Sequence, residues 1–354
     1  MPETMDISSR SKVYTLEFVK DFPIHFRGLF SNPNTFFLID QRIYQLYGSF
    51  FASLSFGERL ILLQASEGNK TVTTCEKVIG RLIANKVNKR SILVVVGGGI
   101  LQDIGAFASS ILFRGIEWVF FPTTLLAQAD SCIGGKTSIN FKKFKNLLGN
   151  FYPPSRVFID VNFLNTLSGN DIKSGIGEIL HFYFFANSPY INRLYKGYEG
   201  LFHDRKKLIP YIHESLRIKK SVIEKDEFDK GLRNLFNYGH TFGHALESVT
   251  EYKIPHGQAV TVGMDLANYI SFKRNLISEG LFLKRHQILV KNMPPRPPRS
   301  FSIKKYIKAL SKDKKNVNSN LTCILILGDG KMEKKQIPMD EQLLSSIKEY
   351  FDQF

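Results

Sequence analysis

The chain has 354 residues, 43% of them hydrophobic and 13% aromatic, which is typical of a folded globular protein with a sizeable core. Its formal net charge of +16 could indicate nucleic-acid binding. Much of this charge lies between Lys273 and Lys315, but no nucleic-acid-binding motif or stripe of aromatic residues accompanies it. We therefore expect no nucleic-acid partner and favour a site for small anionic molecules, because basic charge steers phosphates toward such a site.

The sequence lacks the signatures of membrane insertion, secretion and disulfide bonding. No apolar window is long enough to span a bilayer. Residues Met1–Thr4 lack the basic region and the apolar run of a signal peptide. Cys75, Cys132 and Cys323 are widely spaced and odd in number, which argues against a disulfide framework. We therefore expect a cytoplasmic protein with no membrane partner.

Strand and helix patterns alternate in the first half of the chain, after residues 1–12, which we expect to be loosely attached. The predicted strands are Val13–Leu16, Thr35–Ile39, Leu60–Leu63, Ile92–Val96, Trp118–Phe121 and Val157–Asp160. The predicted helices are Gln41–Tyr47, Val72–Asn88 and one that ends at Leu112. The continuous apolar run at Ile92–Val96 suits a strand buried on both faces. Together these patterns indicate an α/β domain with a largely parallel sheet.

A run of glycines follows the strand at Ile92–Val96. Gly97, Gly98 and Gly99 stand where a helix should begin, and Asp103 lies one turn further on. Without Cβ atoms, these residues let a phosphate approach the backbone and the free N–H groups of the helix. Because the pattern is not G-x-G-x-x-G, a tight structural turn remains an alternative.

Long amphipathic helical patterns dominate from about Asn170. The predicted helices are Ile172–Phe185, Asn187–Tyr198, Leu208–Lys225, Leu232–Thr250, Gln258–Arg274 and Asp340–Tyr350. Pro294–Pro298 is predicted to be a rigid loop, and Leu321–Leu327 a strand or extended segment. The change in pattern predicts two domains, residues 1–169 and residues 170–354.

Three of the eight histidines fall within one short stretch. His240 and His244 would lie one turn apart on the same face of a helix, and His256 follows a break at Pro255. Imidazoles at this spacing can reach one metal ion. The glutamate of the H-E-x-x-H metalloprotease motif is missing, so a helix with incidental histidines is an equal alternative from spacing alone.

Further motifs lie on either side of these histidines. In chain order they are Arg114-Gly115, Pro122–Gln128, Asp130–Thr137, Lys145-Asn146, Ser174–Glu178, Arg233 with Asn237, and His256-Gly257. With the glycine run, their order and spacing resemble those of the sugar-phosphate cyclases, and most closely the dehydroquinate synthases. The resemblance is close from Glu67 to Asn268 and looser elsewhere.

The resemblance implies a fold and an assembly. It implies an α/β NAD-binding domain at residues 1–169 and a mainly α-helical zinc- and substrate-binding domain at residues 170–354, the dehydroquinate synthase-like fold. In this family the residue that corresponds to Arg114 reaches the site of a neighbouring subunit, so a homodimer is expected.

The resemblance also implies the site residues. The implied metal ligands, for zinc or cobalt, are Glu178, His240 and His256, a set that leaves coordination positions open. The implied catalytic residues are His244, Lys136, Asn237, His181 and Asp130. The implied substrate-binding residues are Arg114, Lys145, Asn146, Lys219, Asp229, Arg233 and Lys314. The implied NAD-binding residues are Asp40, Glu67, Lys70, Gly97, Gly98, Gly99, Asp103, Thr123, Thr124, Asp130, Lys145, Thr166, Leu167 and Asp171.

The implied reaction is cyclisation of a sugar phosphate with loss of phosphate. Zinc eases deprotonation of a hydroxyl, NAD takes the hydride from that carbon and later returns it, and an intramolecular aldol step closes the ring. For dehydroquinate synthases the substrate is 3-deoxy-D-arabino-heptulosonate 7-phosphate and the products are 3-dehydroquinate and phosphate. We therefore expect a phosphate-eliminating lyase of aromatic amino acid biosynthesis.

Three positions depart from the family pattern. His181 stands where a substrate-contacting lysine is usual, Asp229 replaces a glutamate, and Gln102 replaces a glycine. Lys145–Asp160 and Leu164–Leu167 are also similar to cyclases that act on sedoheptulose 7-phosphate. The alternatives are a cyclase for that or another sugar phosphate, and an NAD-binding homologue without turnover. Iron-dependent alcohol or glycerol dehydrogenases share the architecture, but Asp130–Thr137 argues against that group.

Overall fold

The structure is a computed structural model that describes residues 4–142, 144–295, 301–311 and 320–353. The chain divides into two compact units. The first contains Met1–Leu167 and Arg205–Phe228, and the second contains Ser168–Asp204 and Asp229–Phe354. The predicted division into residues 1–169 and 170–354 has no counterpart to the inclusion of Arg205–Phe228 in the first unit. Arg205–Phe228 lies in the first unit because its helix packs there, where Ser215 Oγ donates a hydrogen bond to Ala129 O at 2.8 Å.

The bounds of the elements are as follows. The strands are β1 (Thr4–Ser8), β2 (Val13–Val19), β3 (Thr35–Asp40), β4 (Leu60–Leu63), β5 (Ile92–Gly97), β6 (Glu117–Pro122), β7 (Ile139–Phe141), β8 (Phe144–Leu148), β9 (Arg156–Asp160), β10 (Asn320–Gly328) and β11 (Lys331–Pro338). The helices are α1 (Phe22–Phe30), α2 (Gln41–Leu46), α3 (Gly48–Ala52), α4 (Val72–Ala84), α5 (Gly99–Ile111), α6 (Gly169–Ala186), α7 (Tyr190–Gly197), α8 (Ile209–Ile223), α9 (His240–Val249), α10 (His256–Lys273), α11 (Glu279–Val290), α12 (Ile303–Ser311) and α13 (Glu341–Gln353). Within the described ranges, every helix is too short or too polar to cross a bilayer.

The first unit is built on a sheet with the strand order β1-β2-β9-β6-β5-β3-β4. All neighbours pair in parallel except β1 and β2, which are antiparallel. The prediction that residues 1–12 are loosely attached is wrong for Thr4–Ser8, because this segment is the edge strand β1. The parallel strands end at one edge, at Asp40, Gly97, Pro122 and Asp160. Ligands of open α/β sheets bind at this edge.

One face of this sheet is covered by a hydrophobic cluster rich in phenylalanine. Phe22 and Phe26 of α1, a helix that the sequence patterns did not predict, pack against Phe37, Phe121 and other buried rings. Many of these pairs have the edge-to-face or tilted geometry that aromatic rings favour. The core therefore holds β3, β5 and β6 in place beneath the glycine run.

The second unit is mainly helical, so the predicted fold class is confirmed. Its helices α6, α9 and α10 approach closely through glycines: a Cβ on Gly177 would collide with Gly257 O, and a Cβ on Gly263 would collide with Gly239 O. Because larger residues could not be accommodated, these glycines set the distance between the helices. Strands β10 and β11 form an antiparallel hairpin. The predicted loop Pro294–Pro298 lies partly outside the described residues.

The predicted continuous helix Leu232–Thr250 is wrong. Leu232–Asn237 forms a 3₁₀ helix, helical structure is interrupted at Tyr238 and Gly239, and α9 begins at His240. Gly239 has φ = +80°, a left-handed conformation that only glycine adopts readily. The break places His240 in the first turn of α9 instead of its interior.

Candidate active site

Three helix segments of the second unit bring one carboxylate and two imidazoles together. Glu178 comes from the middle of α6, His240 is the first residue of α9, and His256 is the first residue of α10. Glu178 Oε2 lies 3.8 Å from His240 Nε2, and Glu178 Oε1 lies 3.3 Å from His256 Nε2. One ligand atom from each residue falls within 4.8 Å of the others, a spacing that could hold a metal ion.

The second nitrogen of each imidazole is held by an acceptor. His240 Nδ1 lies 3.2 Å from the backbone oxygen of Tyr238, and His256 Nδ1 lies 3.2 Å from Glu247 Oε2. A carbonyl or carboxylate oxygen can only accept, so each Nδ1 must carry the proton. Both Nε2 atoms face Glu178 and are therefore the nitrogens available to a metal ion. Partners of this kind fix the orientation of metal-binding histidines.

The environment of Glu178 fits a bound cation. Its side chain is 3% exposed, and among the described residues its Oε1 has no hydrogen bond in spite of the nearby His256 nitrogen. A buried carboxylate oxygen without a hydrogen bond is unfavourable unless a positive charge compensates it. Two imidazoles and one carboxylate with open coordination positions suit a catalytic zinc. The donor set therefore fits the metal that the resemblance implies.

A second group of three residues, His244, Glu247 and His256, has the same spacing but shares His256 with the first. His256 uses Nδ1 toward Glu247, so Glu247 serves as the orienting partner of His256 when Nε2 binds the metal. His244 is exposed, whereas Glu178 is buried. Of the two groups, Glu178, His240 and His256 is therefore the better candidate for a metal site.

The electrostatics of the two histidines differ. Burial, together with the neighbouring His181, His244 and His256, lowers the pKa of His240 well below its ordinary value, so its ring is neutral as a metal ligand must be. Burial also acts to lower the pKa of His256, but the nearby carboxylates of Glu178 and Glu247 outweigh it and raise that pKa well above its ordinary value. The space between the two carboxylates thus attracts positive charge.

The two remaining predicted histidines flank the metal-binding group. His181 is fully buried in α6, with its ring centroid 5.2 Å from that of His240 and 5.8 Å from that of Phe236. His244 is exposed, and its ring centroid lies 5.4 Å from His240 and 5.6 Å from His256. The structure therefore brings all four histidines together and leaves His244 accessible to a substrate.

The predicted substrate-binding residues of the second unit share the 3₁₀ helix and loop before His240. Arg233 is 4% exposed. Asn234 Nδ2 donates to Asp229 Oδ1 at 3.1 Å, and Asn237 Nδ2 donates to Asn234 O at 2.9 Å. Asp229 is in the left-handed conformation, with φ = 58°. The amide groups thus stabilise the segment that contains Arg233 and precedes His240.

The glycine run of the first unit connects β5 to α5 beside the end of β6. A Cβ on Gly98 would lie 2.9 Å from Thr124 Cγ2, whereas a Cβ on Gly99 would make only an ordinary contact, at 3.7 Å, with Ser131 Oγ. Thr123 is buried, and its backbone N–H donates to Gly97 O at 3.0 Å. Gly98, Thr123 and Thr124 thus lie together at the amino end of α5, where helix N–H groups favour a phosphate.

A polar network lies in the same unit and joins five of the predicted residues. Lys70 Nζ contacts Asp103 Oδ2 at 2.6 Å and Asn146 Oδ1 at 2.8 Å. Lys145 Nζ lies 3.5 Å from Glu67 Oε1. Burial raises the pKa of Asp103 to about 6, although the charge of Lys70 opposes this shift. Asn140, which sequence reasoning missed, links the two halves by a hydrogen bond of 2.8 Å to Glu67 Oε1 and one of 2.9 Å from the Asn146 N–H.

Asp130 and Lys219 form a separate ion pair in the first unit. Lys219 Nζ lies 2.7 Å from both Asp130 Oδ1 and the Asp130 carbonyl, in the π-helical segment Ala127–Ser131. Nearby, Gln102 Nε2 donates to Ser131 O at 2.6 Å, which gives this departure from the family pattern a structural role. Lys136 is exposed. Asp130, predicted as a catalytic residue, and Lys219, predicted as a substrate-binding residue, are thus in direct contact.

The other predicted residues have local roles or fall elsewhere. Asp40 accepts a hydrogen bond from Arg42 N at the start of α2, and Asp171 caps α6 in the second unit. Thr166, which directly precedes Leu167, donates a hydrogen bond from its Oγ1 to Phe163 O. Arg114 is in the left-handed conformation with φ = 65°. Lys314 lies outside the described residues.

Sequence reasoning missed two groups that hold the imidazoles of His240 and His256. Glu247 lies three residues after His244, and this helical spacing could have placed its carboxylate on the histidine face. The Tyr238 carbonyl contributes through its backbone, for which the sequence carries no signal. A cavity of about 370 Å³ elsewhere in the first unit, lined by Phe18, Ile159 and Ile209 among others, contains none of the predicted site residues.

Two family profiles match the chain. One, described as 3-dehydroquinate synthase N-terminal, matches residues 60–174, and the other, described as 3-dehydroquinate synthase C-terminal, matches residues 175–316. A 3-dehydroquinate synthase of Clostridium tetani (strain Massachusetts / E88) is 33% identical over 322 residues, which are 90% of this chain and 86% of that protein.

Solved structures share the fold. The structure of a 2-deoxy-scyllo-inosose synthase complexed with carbaglucose-6-phosphate, NAD⁺ and Co²⁺ has a TM-score of 0.83 at 25% identity, and the match covers 98% of this chain and 99% of that one. A 2-epi-5-epi-valiolone synthase from Streptomyces hygroscopicus subsp. jinggangensis 5008 with NAD⁺ and Zn²⁺ bound has the same TM-score and coverage at 23% identity, which shows the fold alone.

Proposed function

Because the chain belongs to the 3-dehydroquinate synthase family, we propose that it converts 3-deoxy-D-arabino-heptulosonate 7-phosphate into 3-dehydroquinate and phosphate with NAD and zinc as cofactors. The family consists of lyase-type cyclases. The observation that carries the proposal is the group of Glu178, His240 and His256, in which both Nε2 atoms face a buried carboxylate. This arrangement supports metal-assisted chemistry, because it leaves positions open for oxygen atoms of a substrate.

The bound cofactors would supply two kinds of chemistry. Zinc would lower the pKa of a substrate hydroxyl, and NAD would accept and return a hydride. Glu178, His240 and His256 would hold the metal, with Glu247 and the Tyr238 carbonyl fixing the two rings. Gly98 and Thr124 would hold the dinucleotide phosphates, while Lys70 and Asp103 lie in the network of the same unit.

The protein's own side chains would bind the anionic groups and move protons. The exposed imidazole of His244 can accept or donate a proton at a ring nitrogen as the phosphate leaves. Arg233, with its fixed charge and planar donors, suits a carboxylate. Lys219 is held against Asp130, which makes Asp130 a candidate to orient this ammonium group toward the substrate. Arg114 is proposed to contribute from the neighbouring subunit of a homodimer.

The alternative substrate class consists of sugar phosphates that lack a carboxylate. It is favoured by His181, a buried imidazole beside His240 that replaces a fixed charge, and by the likeness to the inosose synthase complexed with carbaglucose-6-phosphate. Arg233 and Lys219 favour the deoxyheptulosonate instead, because a carboxylate needs a cationic partner.

The test is a substrate panel. Purified protein with NAD and Zn²⁺ is incubated separately with 3-deoxy-D-arabino-heptulosonate 7-phosphate, sedoheptulose 7-phosphate and glucose 6-phosphate. Phosphate release and carbocycle formation are followed together, with His240→Ala as the control for metal-dependent turnover. We expect turnover of the deoxyheptulosonate only. Turnover of another sugar phosphate without it would overturn the proposed substrate, and phosphate release from none would overturn the proposed activity.

A further inference from the structure

Tyr238 contacts the metal-binding group through its backbone. Its carbonyl oxygen is the partner of His240 Nδ1 at 3.2 Å. The direction in which this carbonyl points therefore sets the rotation of the imidazole ring and the position of Nε2. A shift of the Tyr238 peptide would move a metal ligand even though the tyrosine side chain does not face the metal-binding atoms.

The tyrosine side chain fastens this peptide to α10. It is completely buried, and its hydroxyl donates a hydrogen bond of 2.5 Å to Asn268 Oδ1. Phenylalanine would fill nearly the same volume, so the hydroxyl is not required for apolar packing. A tyrosine ring has only two side-chain torsions, and a hydroxyl fixed at its far end restricts the backbone at the near end.

The next residue adds a second point of attachment to the same helix. Gly239 lies so close to α10 that a Cβ would come within 2.8 Å of Val260 O. Because α10 begins with His256, the helix that carries one imidazole ligand also holds the peptide that orients the other. The relative position of the two imidazoles thus depends on how Tyr238 and Gly239 dock on α10.

We propose that Tyr238 is a positioning residue of the metal site, and that its hydroxyl, by donating to Asn268, holds the carbonyl that orients His240. This inference rests on the metal site of the proposed function and deepens it. The hydroxyl has no part in the chemistry. It reduces the rotation available to His240, so that Nε2 is already directed at Glu178 before a metal binds.

The test is Tyr238→Phe, which removes one oxygen atom and keeps the ring. The measurements are Zn²⁺ affinity by competition with a chelating dye, the visible absorption spectrum of the Co²⁺-substituted protein, and the melting temperature of the metal-free protein. We expect Zn²⁺ affinity to fall about tenfold, at the lower end of the effect of outer-shell partners, because the hydroxyl acts through the backbone. The Co²⁺ spectrum should change, because it reports the geometry of the ligands.

The matched control is Tyr350→Phe. The Tyr350 hydroxyl is buried and donates at 2.9 Å to Asp265 Oδ2, three residues before Asn268 on the same helix. Tyr350→Phe therefore removes another buried hydrogen bond to α10, but one whose donor stands on α13 and not next to the peptide that orients His240. We expect both variants to lower the melting temperature, but only Tyr238→Phe to change Zn²⁺ affinity and the Co²⁺ spectrum.

Asn268→Ala removes the acceptor instead of the donor and provides the second variant if Tyr238→Phe fails to fold. It should reproduce the loss of Zn²⁺ affinity, and the double variant should add little to it. Unchanged Zn²⁺ affinity in these variants, or equal losses in Tyr350→Phe, would overturn the inference while wild-type Zn²⁺ binding upheld the metal site. Absence of Zn²⁺ binding by the wild type would instead overturn the metal site of the proposed function.

Discussion

The two units hold their proposed ligands in different ways. In the second unit, the proposed metal ligands stand on α6, α9 and α10, which are held at backbone contact by glycines, and each imidazole has one nitrogen hydrogen-bonded. In the first unit, long flexible side chains such as Lys70 and Lys145 meet acidic and amide partners in a partly exposed network. Metal geometry requires the rigid arrangement, whereas phosphates tolerate small displacements of a point charge.

The comparison predicts that the largest effects on Zn²⁺ affinity and activity come from single substitutions in the proposed metal site. His240→Ala should reduce Zn²⁺ affinity by more than the 10–100-fold typical of residues that only orient a ligand, because a nitrogen proposed to bind the metal directly is lost. His244→Ala should retain Zn²⁺ within a few-fold of wild type but slow phosphate release by roughly 10²–10⁴, the usual contribution of proton transfer. Metal content after dialysis and single-turnover phosphate release measure the two effects. Equal metal loss in the two variants would mean that the ligands are assigned wrongly.

A smaller effect, on NAD affinity, is expected from a substitution in the glycine run of the first unit. Gly98→Ala places a methyl group 2.9 Å from Thr124 Cγ2, and such overpacking typically costs about 1–3 kcal/mol. Because relief of this contact would displace Thr124, a proposed phosphate contact, we expect NAD to bind more weakly by calorimetry, about fivefold for each 1 kcal/mol of binding that is lost. Gly80→Ala in α4 is the control, because a Cβ there has no heavy atom within 4 Å. Unchanged NAD affinity in Gly98→Ala would remove the glycine run from the binding site.

The smallest effect is expected in the ionic network. The pKa of Asp103 is raised to about 6 in the folded protein, so the folded state binds the proton more tightly than the unfolded state. The free energy of unfolding should therefore fall as pH rises from about 4 to about 6. The expected change is of order 1 kcal/mol, because the 18% exposure of this side chain reduces the roughly 3 kcal/mol that a shift of this size would carry.

Asp103→Asn should flatten this part of the pH profile, because an amide does not titrate. Urea unfolding of the ligand-free protein at several pH values measures the slope. A wild-type slope of the opposite sign would show that the attraction of Lys70 outweighs burial and that the folded protein holds Asp103 ionised.

Sequence patterns were most informative where local chemistry determines structure. The apolar run of β5 and the alternation around it correctly indicated a parallel sheet, because strands buried on both faces must be apolar. The same reasoning failed at Leu232–Thr250, where helical periodicity continues through a glycine that the fold holds at φ = +80°. It also missed α1, since Phe22–Phe30 carries no helix-favouring charge pattern and is helical because its rings pack on the sheet.

The candidate site shows the same division. The resemblance to a family implied that Glu178, His240 and His256 are the metal ligands. The structure brings these three residues close enough together to share one metal ion. The interpretation of Asp171 as a cofactor contact remains a prediction, although the structure shows this residue capping α6. Lys314 also remains a prediction. Glu247 and Asn140 were missed because their roles depend on partners that are distant along the chain or reached through a turn.

By itself, the sequence determined the fold class, the order of the motifs and the types of donor available for a metal and a dinucleotide, because these depend on composition and local periodicity. Only the tertiary structure decided which nitrogen of each imidazole faces Glu178, which carboxylate orients His256, and that Arg205–Phe228 belongs with the first unit. Those features arise from contacts between segments far apart in the chain, where a backbone carbonyl such as that of Tyr238 acts without leaving a residue pattern to read.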